Sequence, residues 1–188
     1  GSPNVDACEN DKEKCWYYNV TVPAQIAATC LRFRKKVREP RMHTPKFFHI
    51  SSGCIYNGYE NIFTESDPPN FGLFSDDSSW YSKTKHAAEL ALQKTGSYIF
   101  RIRMPFVQDY TDRNYFTKLL KYDKLISCPN SMTCIEDFAE FLEKFIKKDT
   151  HHYLAPDIFN VVNPGVQTDA RTVTDILKQH GFHNPNWE

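Results

Sequence analysis

The apolar run Phe47-Phe48-His49-Ile50 ends in Ser51-Ser52-Gly53-Cys54-Ile55-Tyr56, and Trp80-Tyr81-Ser82-Lys83-Thr84-Lys85-His86 follows after a long polar stretch. The first segment reads as a strand over 46–51, apolar as expected of a strand covered on both faces. The second opens a helix over about 79–94 that stops at Gly96. Tyr81 and Lys85 are four apart, so the helix stacks them on one face about one turn apart. A tyrosine beside an ammonium is a proton-transfer pair in the making. Free tyrosine titrates near ~10, and a neighbouring cation favours the phenolate. Bringing it near neutrality takes ~3 units, or about 4 kcal/mol of differential interaction. A strand that delivers the Ser52 hydroxyl and a helix that delivers Tyr81 and Lys85 together predict a site. The alternative is an amphipathic surface helix beside a hydrogen-bonded strand end.

Working outward, the rest of the chain alternates strands with helices. Downstream, Tyr98-Ile99-Phe100-Arg101-Ile102 reads as a strand closed by Arg103-Met104-Pro105. A short helix over about 113–121 and a strand at Leu125-Ile126-Ser127 come next. An amphipathic helix from Cys134 to Lys148 carries Ile135, Phe138, Phe141, Leu142 and Phe145 on one face. Ile158-Phe159-Asn160-Val161-Val162 is a further strand, ended by Asn163-Pro164-Gly165 and followed by a helix over about 170–180. Upstream, 4–38 reads as helix, with Asp6 and Glu9 at capping-box spacing and a kink or break at Pro23. Residues 57–78 form a polar loop long enough to be functional or disordered. The pattern predicts an α/β sandwich with a largely parallel sheet.

The composition narrows the function classes. The 188 residues are 40% hydrophobic and 14% aromatic, which suffices for a real core. Lys and Arg total 23 and so do Asp and Glu, so nothing points to nucleic acid or a membrane surface as partner. No apolar run approaches the ~20 residues of a membrane-spanning helix. Cys8, Cys15, Cys30, Cys54, Cys128 and Cys134 form no Cys-x-x-Cys pair and no zinc-like spacing with His, so no metal is expected. They read mostly as reduced cysteines of a cytoplasmic protein, several of them buried. The sequon at Asn19-Val20-Thr21 reads as structural, the basic run Arg32 to Arg38 as a solvated helix end, and His151-His152 as surface.

Ser52 paired with Tyr81-x-x-x-Lys85 resembles the extended short-chain dehydrogenase/reductase family. Six segments narrow the likeness: Pro3-Asn4-Val5-Asp6-Ala7-Cys8-Glu9, Gly53-Cys54-Ile55-Tyr56, Tyr81 to Lys85, Arg101-Ile102-Arg103-Met104-Pro105, Pro129-Asn130-Ser131-Met132-Thr133 and Asn163-Pro164-Gly165. In this order they resemble the bifunctional UDP-4-keto-6-deoxyglucose 3,5-epimerase/4-reductases of UDP-rhamnose synthesis. The resemblance implies a Rossmann-like fold, NADPH (or NADH) as cofactor and a UDP-sugar or dTDP-sugar as substrate. It implies Tyr81 as proton donor at reduction, Lys85 as its modulator and ribose ligand, and Ser52 as the hydroxyl on the substrate carbonyl. It further implies Cys54 and Lys118 as the acid–base pair of epimerisation. Arg103 and Pro105 fall at cofactor-binding positions, and Cys54, Asn130 and Asn163 at substrate-binding ones. Residues 1–128 would then be a partial Rossmann domain carrying the Ser/Tyr/Lys site. Residues 129–188 would be mainly substrate-binding, with one strand returning to the sheet.

The chain departs from that family in one respect. It has seven glycines, no three of them at Gly-x-Gly-x-x-Gly spacing. The phosphate-binding turn of a Rossmann domain is therefore not among these residues. The expectation is the C-terminal portion of the fold with its N-terminal βαβ unit missing. Such a chain would bind NADPH poorly by itself, and its partner would be that missing part or a second copy in a homodimer. Two other readings compete. One is a pure 4-reductase such as a dTDP-4-dehydrorhamnose reductase. The other is a non-catalytic regulatory protein that keeps the fold, as the reductase-like subunit of methionine adenosyltransferase does.

Overall fold

The computed structural model describes residues 1–36, 44–58, 62–109, 111–122, 125, 128–148, 157–165 and 170–182. The chain divides into two compact units, Gly1–Arg101 with His151–Asn160, and Ile102–Thr150 with Val161–Glu188.

In the first unit, α1 (Val5–Asn10) and α2 (Lys12–Trp16) lead into a π turn at Tyr17–Thr21 and then α3 (Val22–Lys36). The single helix expected over 4–38 is thus broken twice. Asp11 ends α1 and caps α2, its carboxylate accepting from the Lys14 amide at 3.0 Å. Pro23 has no amide hydrogen for the carbonyl of Asn19, and the disturbance falls one turn earlier than a simple kink. There the backbone widens to a π turn, in which the Val22 amide reaches back to the Tyr17 carbonyl. Asn4 rather than Asp6 caps the first helix, its Oδ1 accepting from the Ala7 amide.

Strand β1 (Phe48–Ser52) leads through a 3-10 turn at Gly53–Ile55 into the long loop. The crossover helix α4 (Trp80–Leu92) is capped by Ser79, whose side chain accepts from the Ser82 amide. Strand β2 (Tyr98–Ile102) follows. With β5 (Asp157–Asn160) these strands form a sheet of order β1-β2-β5, β2 running parallel to β5 with Tyr98 opposite Asp157. Among the described residues β1 is an edge strand, and Ile50 on it is 45% exposed. Ala27, Leu92 and Ile99 are buried together, with Phe47 and Ile158 packed on them. The long loop is pinned onto α4 and the turn after β1. Phe71 donates its amide to the Ile55 carbonyl, and Leu73 donates its own to His86 Nδ1. Gly72 lies so close to the His86 ring that a Cβ there would come within 2.2 Å of Nδ1. A side chain has no room at this position.

The second unit pairs two short parallel strands, β3 (Pro105–Phe106) and β4 (Thr133–Cys134), with Pro105 opposite Thr133. Helices α5 (Tyr115–Leu119), α6 (Ile135–Lys147) and α7 (Ala170–Gln179) complete it. Leu119, Val173 and Leu177 are buried, with Tyr115, Phe116, Leu120 and Leu125 packed around them. Phe138 is the buried anchor of the apolar face of α6, and Ile135, Phe141, Leu142 and Phe145 are half-buried. The strand expected at 125–127 falls partly outside the described residues, at 126 and 127. The parallel pair β3–β4 escaped the sequence reading because two-residue strands carry no periodicity.

Candidate active site

In the first unit, α4 lies against the exit of β1 and fastens it at several points. Lys85 Nζ donates to the carbonyl of Ile50 at 3.0 Å, and Ser82 Oγ donates to that of Cys54 at 2.7 Å. Ser52 Oγ accepts from the Cys54 amide at 3.2 Å, so this hydroxyl caps the 3-10 turn. The bond uses the oxygen as acceptor, and a hydroxyl so used keeps its O–H for donation. This bond accounts for Ser52 as a satisfied strand end.

Tyr81 and Lys85 share one face of α4, as their spacing requires. Both are nine-tenths buried, and Lys85 Nζ sits 5.7 Å from the centroid of the Tyr81 ring. Burial lowers the pKa of Lys85 from 10.5 to about 8, an effect that the charges of Cys54 and Glu89 partly offset. Tyr81 packs on Cys8 and Cys15, and Cys54 and Trp80 cover the same cluster. Ser52, Cys54, Tyr81 and Lys85 are all brought together at one end of β1.

Cys8 and Cys15 form a disulfide between α1 and α2, a pair the sequence reading, which expected most of the six cysteines reduced, did not name. No spacing rule would have found it, because seven residues and a helix break separate the two. Cys30, Cys54, Cys128 and Cys134 lie outside it. Asn19 is buried beneath this pair. It donates to the Ser2 carbonyl and to Thr84 Oγ1 of α4, which leaves no room for a glycan.

A buried ionic cluster continues the α4 stripe by one more turn. Glu89 accepts from Ser51 Oγ at 2.5 Å and from Arg101 Nε and Nη2 of β2, the latter at 2.7 Å. Arg101 Nη1 donates to Tyr56 OH at 2.6 Å, and the guanidinium lies over that ring. Hydrogen bonding and charge from Glu89 raise the Arg101 pKa despite the opposing effect of burial. His49, also buried, has its Nε2 without a hydrogen-bond partner among the described residues. Burial, then the charge of Lys85, hold its pKa down at about 3. Sequence reading missed Glu89, Arg101 and His49. The i, i+4, i+8 spacing of Tyr81, Lys85 and Glu89 was the available signal.

The remaining expected residues lie in the second unit, where three of the quoted segments converge. Arg103 Nε donates to Asn130 Oδ1 at 2.8 Å, and the Arg103 amide donates to Thr133 Oγ1 at 3.0 Å. Asn163 is held at both ends, Oδ1 accepting from the Cys134 amide and Nδ2 donating to Asp137 Oδ2. Its amide thus fastens the turn after β5 to the start of α6. Between Arg103 and exposed Pro105 the backbone of Met104 is left-handed, at φ 39°, a region costly for a side-chain-bearing residue. Lys118 is exposed on α5, one turn beyond the helix-capping Asn114. Among the described residues no group of three His, Cys, Asp or Glu is placed to hold a metal ion. Nor is any helix among them long and apolar enough to cross a membrane.

The sequence model of the NAD dependent epimerase/dehydratase family matches residues 1–104. A bifunctional dTDP-4-dehydrorhamnose 3,5-epimerase/dTDP-4-dehydrorhamnose reductase of Arabidopsis thaliana is 32% identical over 175 residues, covering 88% of this chain and 52% of the relative. A trifunctional UDP-glucose 4,6-dehydratase/UDP-4-keto-6-deoxy-D-glucose 3,5-epimerase/UDP-4-keto-L-rhamnose-reductase of the same plant is 31% identical over 175 residues, and there the match covers 88% of this chain and 23% of the relative. Among solved structures, the UDP-rhamnose synthase of Acanthamoeba polyphaga mimivirus superposes with a TM-score of 0.62 at 27% identity, covering 78% of this chain and 47% of that one. The chain thus spans about half the length of the bifunctional relative and about a quarter of the trifunctional one. The α/β fold with its parallel sheet is that of the Rossmann-like reductases and epimerases. On the match over residues 1–104, the chain belongs to the NAD dependent epimerase/dehydratase family.

Proposed function

We propose that this chain carries the chemistry of a nucleotide-sugar 3,5-epimerase/4-reductase. Such an enzyme converts UDP-4-keto-6-deoxyglucose to UDP-L-rhamnose with NADPH (or NADH). The observation that carries the reading is the buried Lys85 ammonium, hydrogen-bonded at Ile50 beside Ser52 and one helical turn from Tyr81. A phenol, an ammonium and a hydroxyl converging on a strand end suit the reduction of a ketone.

The described residues fit the ribose–nicotinamide end of the cofactor. Tyr81 and Lys85 offer a phenol and an ammonium on one helix face, a donor set that matches ribose hydroxyls, and Arg103 and Pro105 are proposed as further contacts. No residue here is assigned to the pyrophosphate. When bound, the reduced nicotinamide supplies a hydride to C4 of the keto-sugar. Ser52 O–H donates to the C4 carbonyl oxygen and polarises it, and Tyr81 O–H gives that oxygen its proton. The Lys85 charge eases departure of that proton, and burial in a low-dielectric setting strengthens its pull.

Epimerisation removes a proton alpha to the ketone and returns one on the opposite face. Cys54 is proposed for this transfer, since a thiol near a cation makes a competent base. Lys118 is proposed as its counterpart on the resemblance alone. Asn130 and Asn163 are proposed on the nucleotide-sugar side, Asn163 acting through the backbone that it fastens. A dTDP-4-dehydrorhamnose reductase is the second reading, favoured by the name of the bifunctional plant relative.

The test is solvent exchange. In D2O, the polypeptide in which this sequence naturally occurs should place deuterium at C3 and C5 of UDP-4-keto-6-deoxyglucose. Cys54→Ala should abolish that exchange while leaving reduction of an already epimerised keto-sugar. Unchanged exchange in Cys54→Ala would remove the epimerase half of the proposal.

A further inference from the structure

We propose that Glu89 is a positioning residue of the Tyr81–Lys85 site, holding the end of β1 against α4 through Ser51 and balancing the Lys85 ammonium, with Arg101 and Tyr56 fixing it in place. The inference rests on the reductase reading of this site and names a residue that reading does not require. Its basis is geometric. Tyr81, Lys85 and Glu89 form one stripe along α4, and consecutive residues of β1 meet its last two members. Ile50 accepts from Lys85, and Ser51 donates to Glu89. The residue after Ser51 is Ser52, so the hydroxyl meant for the substrate carbonyl sits at the end of a doubly tethered strand.

The carboxylate is itself tightly held. Glu89 and Arg101 are 4% and 3% exposed, and two nitrogens of the guanidinium grip the carboxylate. Such a pair defines orientation more reliably than it adds stability. Arg101 is supported in turn by Tyr56, whose hydroxyl donates to the Asp67 carbonyl at 2.9 Å and whose ring stacks on Phe63. The line of contacts runs from the 63–67 loop through Tyr56, Arg101 and Glu89 to Ser51.

Charge gives the second part of the argument. The charged groups acting on Lys85 are Cys54 and Glu89, which favour its charge, and Lys85 in turn bears on buried His49. Those around Glu89 are Arg101, Tyr56 and His86. A carboxylate one turn from a buried ammonium offsets part of its desolvation. Arg101 engages that carboxylate directly, so Glu89 supports Lys85 at a distance without sequestering it in an ion pair.

Two measurements separate this inference from the reading beneath it. The first needs neither cofactor nor substrate. Titration of the Lys85 13Cε resonance in the folded chain, assigned with Lys85→Arg, should move about one pH unit lower in Glu89→Gln. Folded Glu89→Gln with an unmoved Lys85 titration overturns the electrostatic role. The second uses Ser51→Ala, which keeps the ion pair and the core. In the natural polypeptide it should lower kcat for the keto-sugar about tenfold with the pH midpoint unchanged, and Ser51→Thr should recover most of the loss. Wild-type kcat in Ser51→Ala overturns the positioning role. If the wild-type polypeptide does not reduce the keto-sugar, the reductase reading fails while the Lys85 titration still decides the role of Glu89.

Discussion

Lys85 Nζ donates to the main-chain carbonyl of Ile50 at 3.0 Å, so the cation of the Tyr81 helix is fastened two residues before Ser52. A substitution on one element is therefore felt on the other.

Burying that ammonium carries a cost. Its folded pKa is about 8 against an ordinary 10.5, so between those values the unfolded chain binds more protons than the folded one. Stability should therefore rise with pH across this window, by about 3 kcal/mol in all, and the penalty is fully present below pH 8. Lys85→Met should be more stable than wild type at pH 7 and should lose the slope. Urea denaturation at several pH values reads both.

Activity should run the other way over the same range. If the charged form of Lys85 assists Tyr81, kcat/KM for the keto-sugar falls as pH rises through about 8. A profile flat to pH 10 would separate Lys85 from the chemistry.

His49 predicts acid sensitivity. Its folded pKa of about 3 lies below the ordinary 6.5, so the folded chain must stay unprotonated where the unfolded chain takes up a proton. Stability is intact above pH 6.5 and is lost as pH falls toward 3, by several kcal/mol in total. His49→Phe should flatten this limb of the curve in circular-dichroism acid titrations. An acid midpoint unchanged by the substitution would assign the sensitivity to carboxylates instead.

The Arg101–Glu89 pair predicts an asymmetry between single and double changes. Arg101→Ala leaves a buried carboxylate without its partner and should cost about 3–5 kcal/mol in chemical denaturation. Arg101→Met combined with Glu89→Leu should recover much of that loss, since neither charge remains to be desolvated. Equal losses in the two proteins would show that packing, not charge, dominates at this site.

How much of this was legible in the sequence follows from the range of the interactions involved. The strand at Phe48–Ser52, the helix at Trp80–Leu92 and the strand at Tyr98–Ile102 could be read because periodicity and caps are local signals. The Tyr81–Lys85 face followed from helical geometry alone. The break at Asp11 and the π turn before Pro23 were read only as one disturbed helix, because their placement depends on packing against α4. Glu89 could have been placed on the Tyr81–Lys85 face by its spacing, but its pairing with Arg101 could not: twelve positions apart in sequence, they meet only when β2 comes under α4. The same holds for Cys8 and Cys15, which face each other across a helix break. Arg103, Asn130 and Asn163 could be picked out by resemblance. That Asn163 spends both ends of its amide on Cys134 and Asp137 could not.

The central claim is that Tyr81 delivers the proton in the reduction of a 4-keto nucleotide sugar. Its most direct test is the NADPH-dependent turnover of UDP-4-keto-6-deoxyglucose by the natural polypeptide, with Tyr81→Phe compared to wild type. The substitution keeps the ring that packs on Cys8 and Cys15 and removes only the hydroxyl. The account predicts UDP-L-rhamnose from the wild type and a rate at least about 100-fold lower in Tyr81→Phe. An inert wild type, or Tyr81→Phe turning over at the wild-type rate, would contradict it.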